Sequence, residues 1–305
     1  MAQPLVDAMG PEAVLYLQYA VHAAFVLLVL AASYPLPLST AVVVAVLALV
    51  TQPLQVLVRI HAYDDQDVDV PYEVLTFIKQ LLVVGFGALP VLFFRVSDAT
   101  QHWALGRVAY GALTVNLLWT LVYESQYATF CAYVQPVNVV LACTALAVRF
   151  FHAERGGFAP LRKVGGPRGI PIFTATPLSW VVPYTAWSVI FASTYIDGDA
   201  ISQAFAFWMG MFAQMWLVDR AGARPGALPG LNPGYHWLFP RAVALGAYAS
   251  TAPLARLTGY LAPRLTCSPA ITVAAALTAV LFATDLAIAV YDRVRLPSSR
   301  VHELV

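Results

Sequence analysis

Long apolar runs follow one another along the whole chain, broken by short clusters of Pro, Gly and charged residues. Nine runs are legible, at roughly 12–32, 37–58, 72–95, 104–124, 130–150, 177–196, 200–218, 238–257 and 270–291. Each has about 19–24 residues, the length an α-helix needs to cross ~30 Å of hydrocarbon. The pattern predicts an all-α, polytopic transmembrane bundle of about nine helices. The eighth run is the weakest, because Pro240, Pro253 and Pro263 flank or interrupt it. Residues 1–11 carry Asp7 and no Lys or Arg, so the first run lacks the positive n-region of a signal peptide.

Composition agrees with the pattern. The 305 residues are 60% hydrophobic and only 11% charged, against about a quarter charged in soluble domains. Mean hydropathy is +0.71. With 17 basic and 16 acidic residues the net charge is +1. These values exclude a soluble globular enzyme, a disordered chain and a nucleic-acid binder, which needs a basic face. Cys131, Cys143 and Cys267 form neither a disulfide framework nor a C-x-x-C metal site.

Charge also orients the spans. Nine crossings place Arg95, Arg107, Arg149, Arg155, Arg162, Lys163, Arg168, Arg220, Arg224, Arg241, Arg293, Arg295 and Arg300 on one side. The other side receives Arg59, Arg256 and Arg264; 13 and 3, with Lys79 inside a span, make the 17. The positive-inside rule then predicts a cytoplasmic C-terminus and an external N-terminus. The longest loop, 151–176, is cytoplasmic, basic and rich in Gly and Pro.

Ionisable groups within spans are costly and point to function. Asp285 lies well inside the last run, on a stripe with Thr278 and Asp292 spaced by seven. An ion pair with Lys79 or an arginine is the structural alternative to a catalytic role. In the fourth run Asn116, Thr120 and Tyr123 share a helical stripe flanked by Trp119 and Glu124. Glu73, Lys79 and Gln80 fall in the third run; Lys79 is deep enough to need a partner. Gln135, Asn138, Gln203 and Gln214 are candidates for hydrogen bonds between helices.

Aromatics form a second pattern. Trp180, Tyr184, Trp187 and Phe191 recur at i, i+4, i+7 and i+11, and Trp208, Phe212 and Trp216 do the same on the next run. Such rings serve as plain packing or interfacial anchors, or they line a cavity for a cationic guest, since ring faces attract positive charge. The acidic loop Asp64 to Asp69 matches no diphosphate-metal motif, and neither a P-loop, H-E-x-x-H nor G-x-G-x-x-G occurs. No lysine follows Lys163, which excludes a retinal Schiff base in the last run.

Several segments together resemble the integral-membrane terpene cyclases of fungal meroterpenoid and indole-diterpene pathways and their bacterial relatives. The N-x-x-W-E-x-x-Y motif of that family is similar to N-L-L-W-T-L-V-Y here, with Asn116, Trp119 and Tyr123 matching. PVNVVLACTALAVRF, with Asn138 and Arg149, resembles the next family helix. FWMGMFAQMW, with Trp208 and Gln214, resembles a later one, and Asp285, Tyr291 and Arg293 fit the last. The likeness covers about residues 75–295. It implies a seven-helix core at 71–295, with residues 1–70 as two added helices and an acidic outer loop, and 296–305 as a cytoplasmic tail. The family's acid after the Trp is Thr120 here. Glu124, one turn along the same face, and Glu73 are the candidate replacements.

The resemblance implies chemistry without metal or cofactor. An acid protonates a terminal epoxide or alkene of a prenylated small molecule, a carbocation cascade closes rings, and a base removes the last proton. A buried site suits this, since burial disfavours the charged form of a carboxyl and water would quench the cation. The candidate catalytic residues are Asp285, Glu124 and Glu73. The candidate substrate-binding residues are Asn116, Trp119, Thr120, Tyr123, Asn138, Trp180, Tyr184, Trp187, Trp208 and Phe212. Asp285 is expected to share one cavity with Asn116, Trp119 and Tyr123. The alternative is a proton-coupled transporter with an Asp285, Lys79 and Glu124 relay. The partners implied are a prenylated substrate and the lipid bilayer, with no nucleic acid.

Overall fold

The computed structural model describes residues 81–121, 134–152, 157–164, 169–195, 232–242 and 268–295, with isolated positions elsewhere, several of them within 50–58 and 74–79. Most of the first and second expected spans, the seventh and most of the eighth lie outside the described residues, as do Glu73, Gln80, Tyr123, Glu124, Gln203, Trp208, Phe212 and Gln214. Two helices, Phe77–Arg95 and Pro269–Arg295, are long and apolar enough to cross a membrane, and Val134–Phe150 and Leu178–Phe191 are shorter apolar helices.

The described chain is mostly helical. A π-helix, Leu81–Ala88, runs into α1, Leu89–Val96. Then come β1 (Gln101–His102), α2 (Trp103–Trp119), α3 (Val134–Phe150), β2 (Leu161–Val164), β3 (Ile170–Phe173) and α4 (Leu178–Tyr195). A 3-10 turn, Pro233–His236, and the long α5, Pro269–Arg295, complete the described elements. Local chemistry sets the ends. His102 caps α2 by accepting from the Leu105 N–H at 3.3 Å, and Ser268 accepts from Ile271 N–H at the start of α5. Arg293 and Arg295 sit in the last turn of α5, where cations oppose the helix dipole.

The all-helical expectation is corrected in one place. The loop expected at 151–176 contains two strands of a three-stranded antiparallel sheet, ordered β1–β2–β3. Leu161 pairs with both His102 and Phe173. Strands of two and four residues are too short to set an alternating pattern against a Gly- and Pro-rich background. The sheet closes one end of the bundle. Gly106 of α2 lies so near Ala159 and Pro160 that a Cβ there would strike their backbone.

Side-chain contacts fix the helix directions. Asn138 and Arg149 of α3 meet Ala275 and Asp285 of α5, eleven residues apart on one helix and ten on the other, so α3 and α5 run parallel. Tyr110 of α2 stacks on Phe150 at the end of α3, with ring centroids 4.2 Å apart. Asn116, nearly two turns further along α2, reaches Tyr184 of α4. Thus α2 and α4 run together, against α3 and α5.

The faces of α5 are inverted relative to a helix in water. Its buried stripe is Ala275, Thr278, Phe282, Asp285 and Ala289, spaced three and four apart. Its outward face is apolar: Val280 is 61% exposed, while Asp285 is 1% exposed. Val273, Leu277, Leu281, Ile288 and Val294 extend that exposed face. Phe86, Leu118, Val137, Val140 and Val182 continue the apolar exterior on the π-helix, α2, α3 and α4. Water would penalise such a surface; hydrocarbon does not.

Candidate functional site

Polar side chains converge at two levels of the interior. At the first, Arg149 Nη2 lies 2.5 Å from Asp285 Oδ1 and also donates to the Asp285 carbonyl at 3.2 Å. Ser179 Oγ donates to the same Oδ1 at 2.6 Å. Ser179 lies in the first turn of α4, so the carboxylate faces the positive end of that helix dipole. Three features therefore hold the charge: guanidinium, hydroxyl and helix terminus. Pro183, inside α4, lacks the N–H that would bond the Ser179 carbonyl in a regular helix.

The expected stripe of Thr278 and Asp285 is buried as one face, with Asp292 half-buried below it. The cation on Asp285 is Arg149. Its side chain is 13% exposed, so the pair spans the edge of the buried interior. An arginine was one of the two kinds of partner the sequence allowed; Ser179 carried no signal beyond its place after Thr176 and Pro177.

At the second level, Tyr184 Oη accepts from Asn116 Nδ2 at 3.3 Å and from Arg241 Nη2 at 3.4 Å. Asn116 and Arg241 border a small open cleft between the π-helix, α2 and the 238–245 segment. Its other walls are small or aliphatic, among them Val83, Gly87, Ala112 and Leu245. The α4 terminus is fixed from the same side. Asn232 Oδ1 accepts from Leu178 N–H at 2.8 Å and from Gly234 N–H at 3.0 Å. Gly234 is required there, because a Cβ would collide with Pro177 and Leu178.

The predicted aromatic stripe on α4 is a packed stack. Trp180 and Tyr184 are stacked at 4.8 Å, Trp187 and Phe191 at 5.5 Å, and Trp237 meets Trp180 and Tyr184 edge-on. Trp180 also donates to the Ala142 carbonyl at 3.0 Å. None of these rings borders the cleft. Thr120, at the position of the family's acid, is buried and donates to the Asn116 carbonyl one turn back. Trp119 is half-buried and stands apart from the cleft walls.

Asp285 and Asn116 lie at different levels of the interior, and Tyr123, expected in a cavity with both, lies outside the described residues. Asp285 is enclosed by α3 and the start of α4, whereas Asn116 faces the cleft and Tyr184. Ser179 and Tyr184 are five residues apart, about 7.5 Å along the α4 axis. Arg241, placed by the sequence only among the cytoplasmic charges, is buried and joins the Asn116 level.

Compared with known protein families, curated proteins and solved structures, the chain matches none.

Proposed function

We propose that this chain is an integral-membrane, metal-independent terpene cyclase acting on the prenyl chain of a prenylated small molecule. The observation that carries the proposal is the meeting of Arg149 with Asp285 in a bundle whose outer face is apolar. Both residues belong to the segments that resemble the cyclases, and Asn138 of the same segment also bonds α5. The reaction is an isomerisation: one proton enters at a terminal alkene or epoxide, C–C bonds form as the cation migrates, and one proton leaves.

In this reading the carboxyl groups divide the roles. An ion-paired carboxylate accepts protons, so Asp285 is the terminal base or the group that steadies the developing cation. Glu124 and Glu73 then remain as initiating acids. The proposed topology has nine crossings, an external N-terminus and the sheet end of the bundle in the cytoplasm. It is supported by the opposed directions of α2 and α4 against α3 and α5, as alternate crossings demand.

The test is incubation of membranes containing the full chain with prenylated phenols and their terminal epoxides, followed by mass spectrometry. A cyclase yields a product of unchanged mass with fewer double bonds. Absence of any isomer, with proton-coupled uptake of a solute into proteoliposomes, would favour the carrier reading. The Arg149–Asp285 pair also suits that reading, because protonating the carboxylate would release the guanidinium.

A further inference from the structure

Among the described residues, α3 and α4 carry buried polar atoms without a hydrogen-bond partner. Gln135 is 5% exposed, Asn138 0% and Trp187 2%. Gln135 Nε2 and Oε1, Asn138 Oδ1 and Trp187 Nε1 are all buried without a hydrogen-bond partner. Natural interiors satisfy the large majority of such atoms, so a cluster of them marks a place where something else supplies the partner.

Register brings them together. Trp180 Nε1 donates to the Ala142 carbonyl, which ties α4 to α3 at one level. The two helices run in opposite directions. Trp187 lies seven residues after Trp180, and Gln135 lies seven residues before Ala142. Both steps are two turns, about 10.5 Å, in the same spatial direction, and each returns to nearly the same face of its helix. Trp187 therefore faces α3 at the level of Gln135. Asn138 is one turn from Gln135 on the same face, with its Nδ2 held by the Ala275 carbonyl of α5 at 3.1 Å and its Oδ1 left over.

The chemistry of the four atoms selects the occupant. Two are donors, Gln135 Nε2 and Trp187 Nε1; two are acceptors, Gln135 Oε1 and Asn138 Oδ1. An anion would leave the acceptors unmet and a cation the donors. We infer that Gln135, Asn138 and Trp187 form a binding site for the neutral hydroxyl of a lipophilic molecule, whose two lone pairs meet both donors and whose O–H meets one of the two acceptors. The inference deepens the cyclase reading and rests on it only for the ligand's identity as a prenylated substrate. The site would hold the oxygen of that substrate beside the α4 rings.

The experiment measures binding without turnover. The purified full-length protein in lipid nanodiscs is titrated with radiolabelled farnesol, with farnesene as the chain lacking oxygen and farnesoic acid as the anionic head. Saturable farnesol binding is expected, at least tenfold tighter than either control. Gln135→Leu and Asn138→Leu should each weaken farnesol binding tenfold or more and leave farnesene unchanged. Gln135→Leu should also raise the Tm of the ligand-free protein, because it removes unsatisfied atoms from an apolar seam. Equal binding of farnesol and farnesene overturns the inference. So does a Gln135→Leu variant of lowered Tm and unchanged farnesol affinity, which would assign the amide to interior water. Cyclisation that ignores Gln135 removes the inference and leaves the cyclase reading standing. Gln135-dependent binding in a protein that cyclises nothing does the reverse.

Discussion

Arg149 and Asp285 are 136 residues apart in sequence and 2.5 Å apart in space. Their contact joins two parallel helices at the level where α4 begins. Removing one partner leaves a charge in the interior, whereas removing both leaves none. Asp285→Asn and Arg149→Met should therefore each destabilise the protein by about 3–5 kcal/mol, and the double variant should recover most of the loss. Thermal unfolding of the four proteins in one detergent gives the coupling. Additive losses would show that the pair is not a structural unit.

The outward face of α5 should meet lipid. Val280→Arg puts a charge at mid-helix on that face and should impair insertion by about 2.5–3.5 kcal/mol. A cysteine at Leu277 should react with a lipid-soluble maleimide, while one at Thr278, on the buried stripe, should not. Equal labelling of both positions would contradict the packing of α5 on α3. Efficient labelling of the 151–176 loop from outside intact cells would reverse the proposed orientation.

Lys163 offers a pH test. Its ammonium bonds Ser97 and lies 4.8 Å above the Phe94 ring. Burial lowers its pKa below the usual 10.5, Arg95 adds to the effect, and Asp98 partly offsets it. The folded state then holds fewer protons than the unfolded state between the lowered value and 10.5. Over that interval stability contributed by this group rises with pH. Lys163→Met should remove the slope, so wild type should gain on the variant as pH rises toward 10.5. A constant difference would show that the lysine titrates normally.

Asn232 anchors the start of α4 through two backbone N–H groups. Asn232→Ala should cost about 1 kcal/mol, and Asn232→Asp much less, since a carboxylate retains the acceptor. Urea unfolding of both variants is the measurement. Equal losses would point to a role for the Asn amide rather than its oxygen.

If the chain cyclises prenyl groups, Glu124→Gln or Glu73→Gln should lower turnover by about 10²-fold or more while leaving Tm unchanged. EDTA-treated membranes should keep full activity. Activity lost to EDTA and restored by Mg²⁺ would redirect attention to Asp64 to Asp69.

The helices were legible because long, uniformly apolar runs stand out along the chain. The runs expected at 104–124, 130–150, 177–196 and 270–291 contain α2, α3 and α4 and nearly all of α5, with ends a few residues off. Asp285 stood out for the same reason, since one carboxylate amid the eighteen apolar residues of the 270–291 run carries its own signal. The strands at 161–164 and 170–173 did not, being too short to set a period.

The sequence alone determined where the long apolar helices run, which ionisable residues stand out within them, and that Asp285 needs an explanation. Hydropathy is a property of single residues, so a sum along the chain is enough. Tertiary structure decided that Arg149 holds Asp285, that Asn116 shares Tyr184 with Arg241, and that the α4 rings stack on one another instead of lining the cleft. Those outcomes depend on helix order, direction and depth. Uniformly apolar faces leave all three open, and only the few polar contacts and close approaches between helices select among them.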